Sequence, residues 1–488
     1  MNGASSPTPA DDLIARGAVD IVGDLRRGVV SPLDLLDALE RRIGAVDSKV
    51  NALPILCFER ARERARALMS KPPAERGLLA GLPVPIKDLS LVEGVRTTFG
   101  SPIFADHIAP KSDVHVERLE AAGAIVYAKS NTPEFGAGAN TFNEVFGATR
   151  NPYDPSLSCA GSSGGAAVAL ATGMAWAAHG SDLGGSLRTP ASFCGIVGLR
   201  PSIGRVAQPR PLHLDGTLGV EGPMARSVED VALLLDAMAG EDARDPLSKP
   251  RPATSFLDSA RRGAKPRRVA YSSNLGITPV DPEVAAITRR AAARFAEAGV
   301  AVEEAHPNLA EAHECFQVLR AQGFAQSMAG LLETHRGLLK PEVAWNIEQG
   351  LALTLSDIAR AERLRASMFA RAQTFFGTYD LLLCPATIVP PFPIEERYVK
   401  SCAGVAFETY VDWLAIAYAI TLIASPALSL TCGFTARGLP VGLQIVAPPG
   451  GEAGLLAGAR LLETILALGG GRPVEVATPS RPSLGAAP

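Results

Sequence analysis

Apolar residues recur at helical spacing along the first part of the chain and at strand spacing in many later segments. Residues 10–27 carry a helical pattern that ends near Gly28. Ser31-Pro32-Leu33-Asp34 then supplies a capping serine, a proline at the first helical position and an acidic residue three on, predicting a helix to about Val46. Residues 58–69, charged and alanine-rich, complete an N-terminal helical region over 10–70. The first strand is expected at 82–86. Short strands, turns and helices follow: a helix over 113–122 closed by Gly123, a buried strand over 124–128, a helix over 227–238 and a strand over 267–271. A Pro/Arg-rich loop is expected over 241–265, then a helix over 281–298 closed by Gly299 and a strand over 300–304.

Residues 309–376 read as almost wholly helical, a lid or substrate-facing section. A strand at 380–384 runs into Pro385-Ala386-Thr387 and a Pro-rich loop, 390–393, placed near a substrate mouth. The longest apolar run, 414–430, is broken by Ser425-Pro426 and holds Tyr418 and Thr421. A membrane span needs about 20 predominantly apolar residues, so a buried helix followed by a core strand is the better reading. Strands at 428–431 and 441–446 and a helix at 452–468 finish the pattern. The fold class is α/β, a mixed β-sheet core sandwiched and covered by α-helices. Residues 10–475 are expected to form a single domain between a disordered leader, 1–9, and a flexible tail, 476–488.

Composition narrows the partners. Lys+Arg total 47 against 50 Asp+Glu, a net charge of −3 with no basic cluster, which argues against nucleic acid or an anionic membrane as the main partner. Seven scattered cysteines without a C-x-x-C pair fit reduced thiols better than a disulfide framework or zinc site. Residues 1–12 have neither a basic n-region nor an apolar h-region, so a cytoplasmic location is expected.

The chemistry concentrates in residues 156–190. Two turns, Gly161-Ser162-Ser163-Gly164-Gly165 and Gly184-Gly185-Ser186, flank a mostly apolar stretch long enough for a buried helix and a short strand. Two serines are thereby held on separate loops, among glycines that leave backbone N–H groups free to face a developing negative charge. By composition alone such clusters are usually solvated turns. Upstream, Gly81-Leu82-Pro83-Val84-Pro85-Ile86-Lys87-Asp88 is an apolar, Pro-punctuated run ending in a lysine. No histidine spacing suits a metal, His179 sits in an apolar stretch where packing is its expected role, and no phosphate-binding G-x-x-x-x-G-K-[ST] occurs.

Together these pieces resemble the amidase signature family. Its lysine lies in a motif like GLPVPIKD, its bridging serine opens a GSSGG motif, and its nucleophile is the serine of G-[ST]-D-x-G-G-S-x-R. Lys87, Ser162 and Ser186 stand in those places, the serines 24 positions apart. The likeness covers about 78–206 and continues weakly to 438–444; Ala160 replaces a usual glycine, and Ser181 a more frequent threonine. Lys129, which also follows a strand, lies outside the lysine motif and is read as structural.

The resemblance implies a catalytic triad of Lys87, Ser162 and Ser186, with Ser186 attacking the carbonyl and passing its proton through Ser162 to neutral Lys87. It implies an oxyanion hole from the N–H groups of Leu183, Gly184, Gly185 and Ser186. Asp182 and Arg188 are expected to pair and shape the nucleophile loop, with Ser163 in support. A lysine of pKa ~10.4 is neutral in only about one molecule in 2,500 at pH 7, so Lys87 must be depressed, with burial against Leu82, Val84 and Ile86 as the expected cause. Asp88 opposes this only if it points inward. Ala191, Phe193, Ile388, Val389, Phe392, Phe407, Tyr410 and Trp413 lie in segments that resemble those bordering the site in this family.

The expected activity is metal- and cofactor-free hydrolysis of linear C–N bonds in apolar aryl or alkyl amides, with ester and carbamate cleavage open to the same path. The expected partner is the small-molecule substrate, and a homodimer is left open. Alternatives are the glutamine-hydrolysing component of a tRNA-dependent amidotransferase and a non-catalytic binding protein of the same fold.

Overall fold

The N-terminal pattern becomes four helices, α1 (Ala10–Ala15), α2 (Ala18–Arg27), α3 (Pro32–Val50) and α4 (Phe58–Met69). The described residues of this computed structural model are 10–208, 216–468 and 471–477; the expected leader and residues 478–488 of the expected tail lie outside them. The Asp34 amide donates to Ser31 Oγ at 3.2 Å and the Ser31 amide to Asp34 Oδ2 at 2.8 Å, so the expected capping box opens α3. The single helix expected over 10–27 is interrupted at Gly17. Its second half is capped from a distance: Asp230 Oδ1 accepts the Val19 N–H at 2.8 Å, and a Cβ on Gly17 would stand 3.1 Å from that carboxylate.

A small sheet places β2 (Pro83–Lys87) parallel to β3 (Ile125–Ser130), with β1 (Ile55–Leu56) antiparallel on β3's other edge. Helix α5 (Val114–Ala121) precedes β3, and a short hairpin, β4 (Phe142–Asn143) with β5 (Gly147–Ala148), follows it. The Gly/Ser stretch then forms α6 (Gly164–Ala171), β6 (Ala177–Asp182) and α7 (Arg188–Cys194).

The central sheet adds β7 (Val197–Arg200), β8 (Val220–Ala225), β9 (Arg268–Tyr271), β10 (Ala301–Glu304) and β11 (Leu381–Pro385). After the hairpin β12 (Ser401–Cys402) and β13 (Val405–Ala406) come its last strands, β14 (Ala427–Phe434) and β15 (Pro440–Val446). The order is β10-β9-β11-β15-β14-β7-β8-β6. β10, β9 and β11 pair in parallel and the remaining neighbours antiparallel, so the sheet is mixed. Strands β7 and β8 carry Gly198, Gly222 and Pro223, which blur the alternation a strand normally displays. A Cβ at Gly222 would lie 2.4 Å from the Leu199 carbonyl oxygen, so close packing demands the glycine.

Helices α8 (Val228–Met238), α9 (Phe256–Arg262) and α10 (Pro282–Ala293) pack around this sheet. The loop expected over 241–265 therefore contains a helix, opened where Ser255 Oγ accepts the Asp258 amide at 3.0 Å. Residues 309–376 form α11 (Ala312–His335), α12 (Pro341–Leu351) and α13 (Leu355–Phe376), as their pattern predicts. The apolar run becomes α14 (Ala415–Leu422), buried throughout, followed by β14; α15 (Glu452–Leu466) closes the order. Among the described residues no helix is long and apolar enough to cross a membrane. The seven cysteines are free thiols.

Two large apolar clusters meet at the loop that carries Ser186, where Leu187 belongs to the first and Leu183 packs against the second. The cap supplied by Asp230 ties α2 to α8, and losing such a cap typically removes about 0.5–2 kcal/mol. Asp230→Ala is expected to lower the thermal midpoint and speed amide exchange in α2, whereas Asp230→Asn, which keeps the acceptor, retains most of the protection. Unchanged exchange over 18–22 in the alanine variant would count against the cap.

Candidate active site

Strand β2 ends at Lys87, and its alternation places Val84 and Ile86 on the face opposite the lysine. The expected burial against those residues is therefore corrected: Lys87 is fully buried where β2 packs on β6 and the Gly/Ser turn. Its ammonium is surrounded by hydroxyls, with Nζ 2.7 Å from Ser162 Oγ, 2.9 Å from Ser163 Oγ and 3.0 Å from Ser181 Oγ. Desolvation pulls Lys87 down to about 7, against the opposing charges of Glu221 and Asp182. Asp88 points away: its Oδ1 accepts from Lys129 Nζ at 2.9 Å and its Oδ2 from Thr98 Oγ1 at 2.5 Å. Thr97 Oγ1 also accepts from Lys129 at 2.8 Å, so Lys129 is engaged away from the serines.

Ser162 follows a cis Gly161–Ser162 peptide just before α6. The Ser163 N–H donates to the Ser186 carbonyl at 3.2 Å, and Ser162 and Ser186 line one cavity of about 190 Å³. Asp182, at the end of β6, shapes the loop that carries Ser186. Its Oδ1 accepts from the Gly185 N–H at 2.9 Å and from Arg188 Nη2 at 2.8 Å, and its Oδ2 from the Leu187 N–H at 3.1 Å and Arg188 Nε at 3.0 Å. Arg200 Nη1 adds a bond to the Asp182 carbonyl at 2.6 Å. Burial would raise the Asp182 carboxyl, but Arg188 and Arg200 more than offset it and hold the group well below the usual carboxylate range. The Gly185 N–H is thus committed to Asp182. Of the four expected oxyanion donors, those of Leu183, Gly184 and Ser186 have no acceptor among the described residues.

The cavity wall differs from expectation. Phe193, Ile388, Phe392 and Trp413 are buried in the second core, with Phe193 edge-on to Phe392 at 6.0 Å and Phe392 edge-on to Trp413 at 5.7 Å. Val389 packs on the same cluster, and Tyr410 accepts from Arg320 Nη2 at 2.8 Å. Phe407 lines a separate cavity of about 560 Å³, with His313, Gln317 and Ala321. The apolar wall beside Ser186 instead comes from Leu89, Phe135, Phe316, Phe324 and Leu414, joined by Glu221 and Arg320. Helical spacing on α11 places Phe316, Arg320 and Phe324 on one face, a sequence signal that shows a stripe but not what it faces.

Glu221 is held by His179, whose Nε2 lies 2.8 Å from Oε2, while the Lys87 N–H donates to His179 Nδ1 at 3.4 Å. His115 stacks on His179 at 4.7 Å. These three are the residues, among those described, with ligand atoms grouped as a metal ion would require. The Lys87 amide fixes the tautomer, leaving the His179 proton on Nε2 toward Glu221, so the set fits a hydrogen-bonded pair better than a cation site.

Neither ring nitrogen of the buried His115 meets a partner among the described residues, and desolvation pulls it down to about 3. Because the folded value lies below the ~6.5 of an unfolded histidine, its contribution to stability is intact above about pH 6.5 and is lost toward pH 3. His115→Leu is expected to match or exceed the parent's thermal midpoint at pH 5 and to flatten the acid slope. An equal loss at pH 5 and pH 8 would indicate that the ring is held by something it bonds.

The sequence model of the Amidase family matches residues 34–456. The chain is 36% identical over 455 residues to an acylamidase of Rhodococcus erythropolis, covering 92% of this chain and 95% of that protein. It is 36% identical over 472 residues to a glutamyl-tRNA(Gln) amidotransferase subunit from Thermus thermophilus, covering 91% and 96%. Among solved structures, a bacterial aryl acylamidase of the amidase signature enzymes superposes with a TM-score of 0.87 at 26% identity, over 93% of this chain and 97% of that one. A buried lysine, a Gly/Ser turn and a fastened serine loop on a mixed sheet thus coincide with full-length similarity, and the chain belongs to the amidase signature family of amidohydrolases.

Proposed function

We propose that the protein hydrolyses small aryl and alkyl amides through an acyl-enzyme on Ser186, with Ser162 relaying protons to and from Lys87. The contact that carries this reading is Lys87 Nζ to Ser162 Oγ at 2.7 Å in a fully buried setting. A neutral amine has one lone pair, and a serine hydroxyl can donate into it while accepting the proton of the attacking serine. Ser186 Oγ bonds to the carbonyl carbon as its proton passes through Ser162 to Lys87. The oxyanion faces the N–H groups of Leu183, Gly184 and Ser186; one such donor is typically worth about 2.7–4 kcal/mol. The intermediate collapses as the leaving nitrogen takes the proton back through Ser162. Water then repeats the sequence on the acyl-enzyme.

The phenylalanine-rich wall favours an aryl or alkyl arm, in keeping with similarity to an acylamidase. Esters and carbamates form the same kind of tetrahedral intermediate and are expected to be turned over at this site. Similarity to amidotransferase subunits keeps glutamine as the second substrate to test.

A panel of an aryl anilide, a p-nitrophenyl ester, a nitrophenyl carbamate and glutamine separates these readings. Anilide turnover that falls by about 10⁴-fold or more in Ser186→Ala is the expected result; turnover of glutamine alone would transfer the assignment to the amidotransferase reading.

The working form of Lys87 is the neutral amine, and burial lowers its value to about 7. For the anilide, kcat/KM is therefore expected to rise with pH through about 7 and level off above it. A profile that declines over that interval would exclude Lys87 as the proton acceptor.

A further inference from the structure

Helix α11 brings into the catalytic cavity a cation that no carboxylate among the described residues neutralises. Arg320 is only 8% exposed and lines the cavity beside Ser186. Its Nη2 donates to Tyr410 Oη at 2.8 Å, and its guanidinium lies 4.6 Å from the Phe324 ring centre. Its Nε has no acceptor among the described residues. The acidic groups of this region are engaged elsewhere: Glu342 accepts from Arg397 Nη2 at 2.5 Å, and Glu134 from Ser101 Oγ at 2.5 Å and the Lys340 N–H at 2.6 Å. Glu221, across the lining, is tied to His179.

A second cation stands nearby. Lys340 donates to the Ala137 carbonyl at 3.1 Å, and its Nζ would lie 3.6 Å from a Cβ on Gly138, a residue of the same cavity wall. Burial pulls Lys340 down to about 8 against the charge of Glu342, with Arg397 and Arg320 acting in the same direction as burial and Glu134 opposing it. Lys340 is half-buried and faces the charges of Glu342 and Glu134, which leaves Arg320 as the uncompensated cation of the two.

An unpaired buried charge costs several kcal/mol, a burden that a ligand of opposite charge relieves. Guanidinium offers five N–H donors in a planar fork that matches a carboxylate, and holding Tyr410 uses one of them. We propose that Arg320 is an anion subsite of the catalytic cavity, and that the preferred substrates are amides carrying a carboxylate on the arm that reaches Phe324. This rests on the reading that Ser186 is the nucleophile, which fixes where the scissile bond lies. The carboxylate belongs either to the acyl arm or to the leaving amine, and matched substrates distinguish the two.

The test compares glutaryl anilide with pentanoyl anilide, for the acyl arm, and 4-acetamidobenzoate with acetanilide, for the leaving amine. Each is assayed with the parent, Arg320→Gln and Arg320→Lys, and its binding to the Ser186→Ala protein, with and without Arg320→Gln, is measured by calorimetry. In one pair the parent is expected to favour the carboxylate in kcat/KM by about ten- to hundredfold, the range of a buried charge-assisted hydrogen bond. Arg320→Gln is expected to cost the carboxylate substrate of that pair about ten- to hundredfold more than its neutral partner, and Arg320→Lys to restore part of the preference. The pair that responds identifies the arm.

A neutral preference in both pairs, or a loss in Arg320→Gln shared equally by neutral and charged substrates, would overturn the subsite. If the parent turns over none of the four, the assignment of Ser186 fails instead. Calorimetry still decides on Arg320: tighter binding of a carboxylate that disappears with Arg320→Gln supports the subsite, and equal binding within each pair refutes it.

Discussion

The active-site architecture depends on one buried carboxylate. Asp182 gathers the Gly185 and Leu187 amides and the guanidiniums of Arg188 and Arg200 around two oxygens. Its charge is stable in the interior only because both arginines surround it. Arg188 extends the network outward, donating to the Ala417 carbonyl at 2.8 Å, Gln444 Oε1 at 2.5 Å and Thr421 Oγ1 at 3.2 Å. The Ser186 loop is thereby fastened to β6, α14 and β15 at once. Positioning comes from a rigid frame, and the glycines in the loop leave room for that frame to close: a Cβ on Gly184 would stand 3.0 Å from Phe316.

Two lysines on neighbouring strands show how local partners set different chemical roles. Lys87 and Lys129 are both fully buried on the paired strands β2 and β3. Lys129 has the Asp88 carboxylate at 2.9 Å, which opposes the effect of burial. Among the described residues, Lys87 has only hydroxyls and a carbonyl within hydrogen-bond reach. A surrounding of neutral oxygens leaves desolvation as the stronger influence, and the ammonium becomes a group that can lose its proton near neutrality.

Most of the architecture was legible in the sequence because it is encoded locally. The Ser31 cap, the helical section containing α11 to α13 and the division of the long apolar run into α14 and β14 follow from nearby residues. What escaped depends on distant ones. The break at Gly17 is made by Asp230, over two hundred positions away; the glycine-bearing strands β7 and β8 are defined by what presses on them; and α9 was hidden in a Pro/Arg-rich context despite its own Ser255 cap. At the site, the Gly/Ser turns and the lysine motif identified the reacting groups proposed here. The pocket was less legible, since aromatic residues packing into a core and those facing a cavity have the same composition. Phe392 and Phe324 are told apart only by tertiary structure.

Helix α11 contributes residues to both cavities. One stripe presents Phe316, Arg320 and Phe324 to the cavity beside Ser186; the adjoining stripe presents His313, Gln317 and Ala321 to the larger cavity. The two spaces are mechanically linked through Tyr418, which meets His313 Nδ1 at 2.6 Å and stacks on Phe316 at 4.1 Å. Packing at the larger cavity thereby reaches, through Tyr418, the Phe316 ring that stands beside Gly184, without touching any of the reacting groups proposed here.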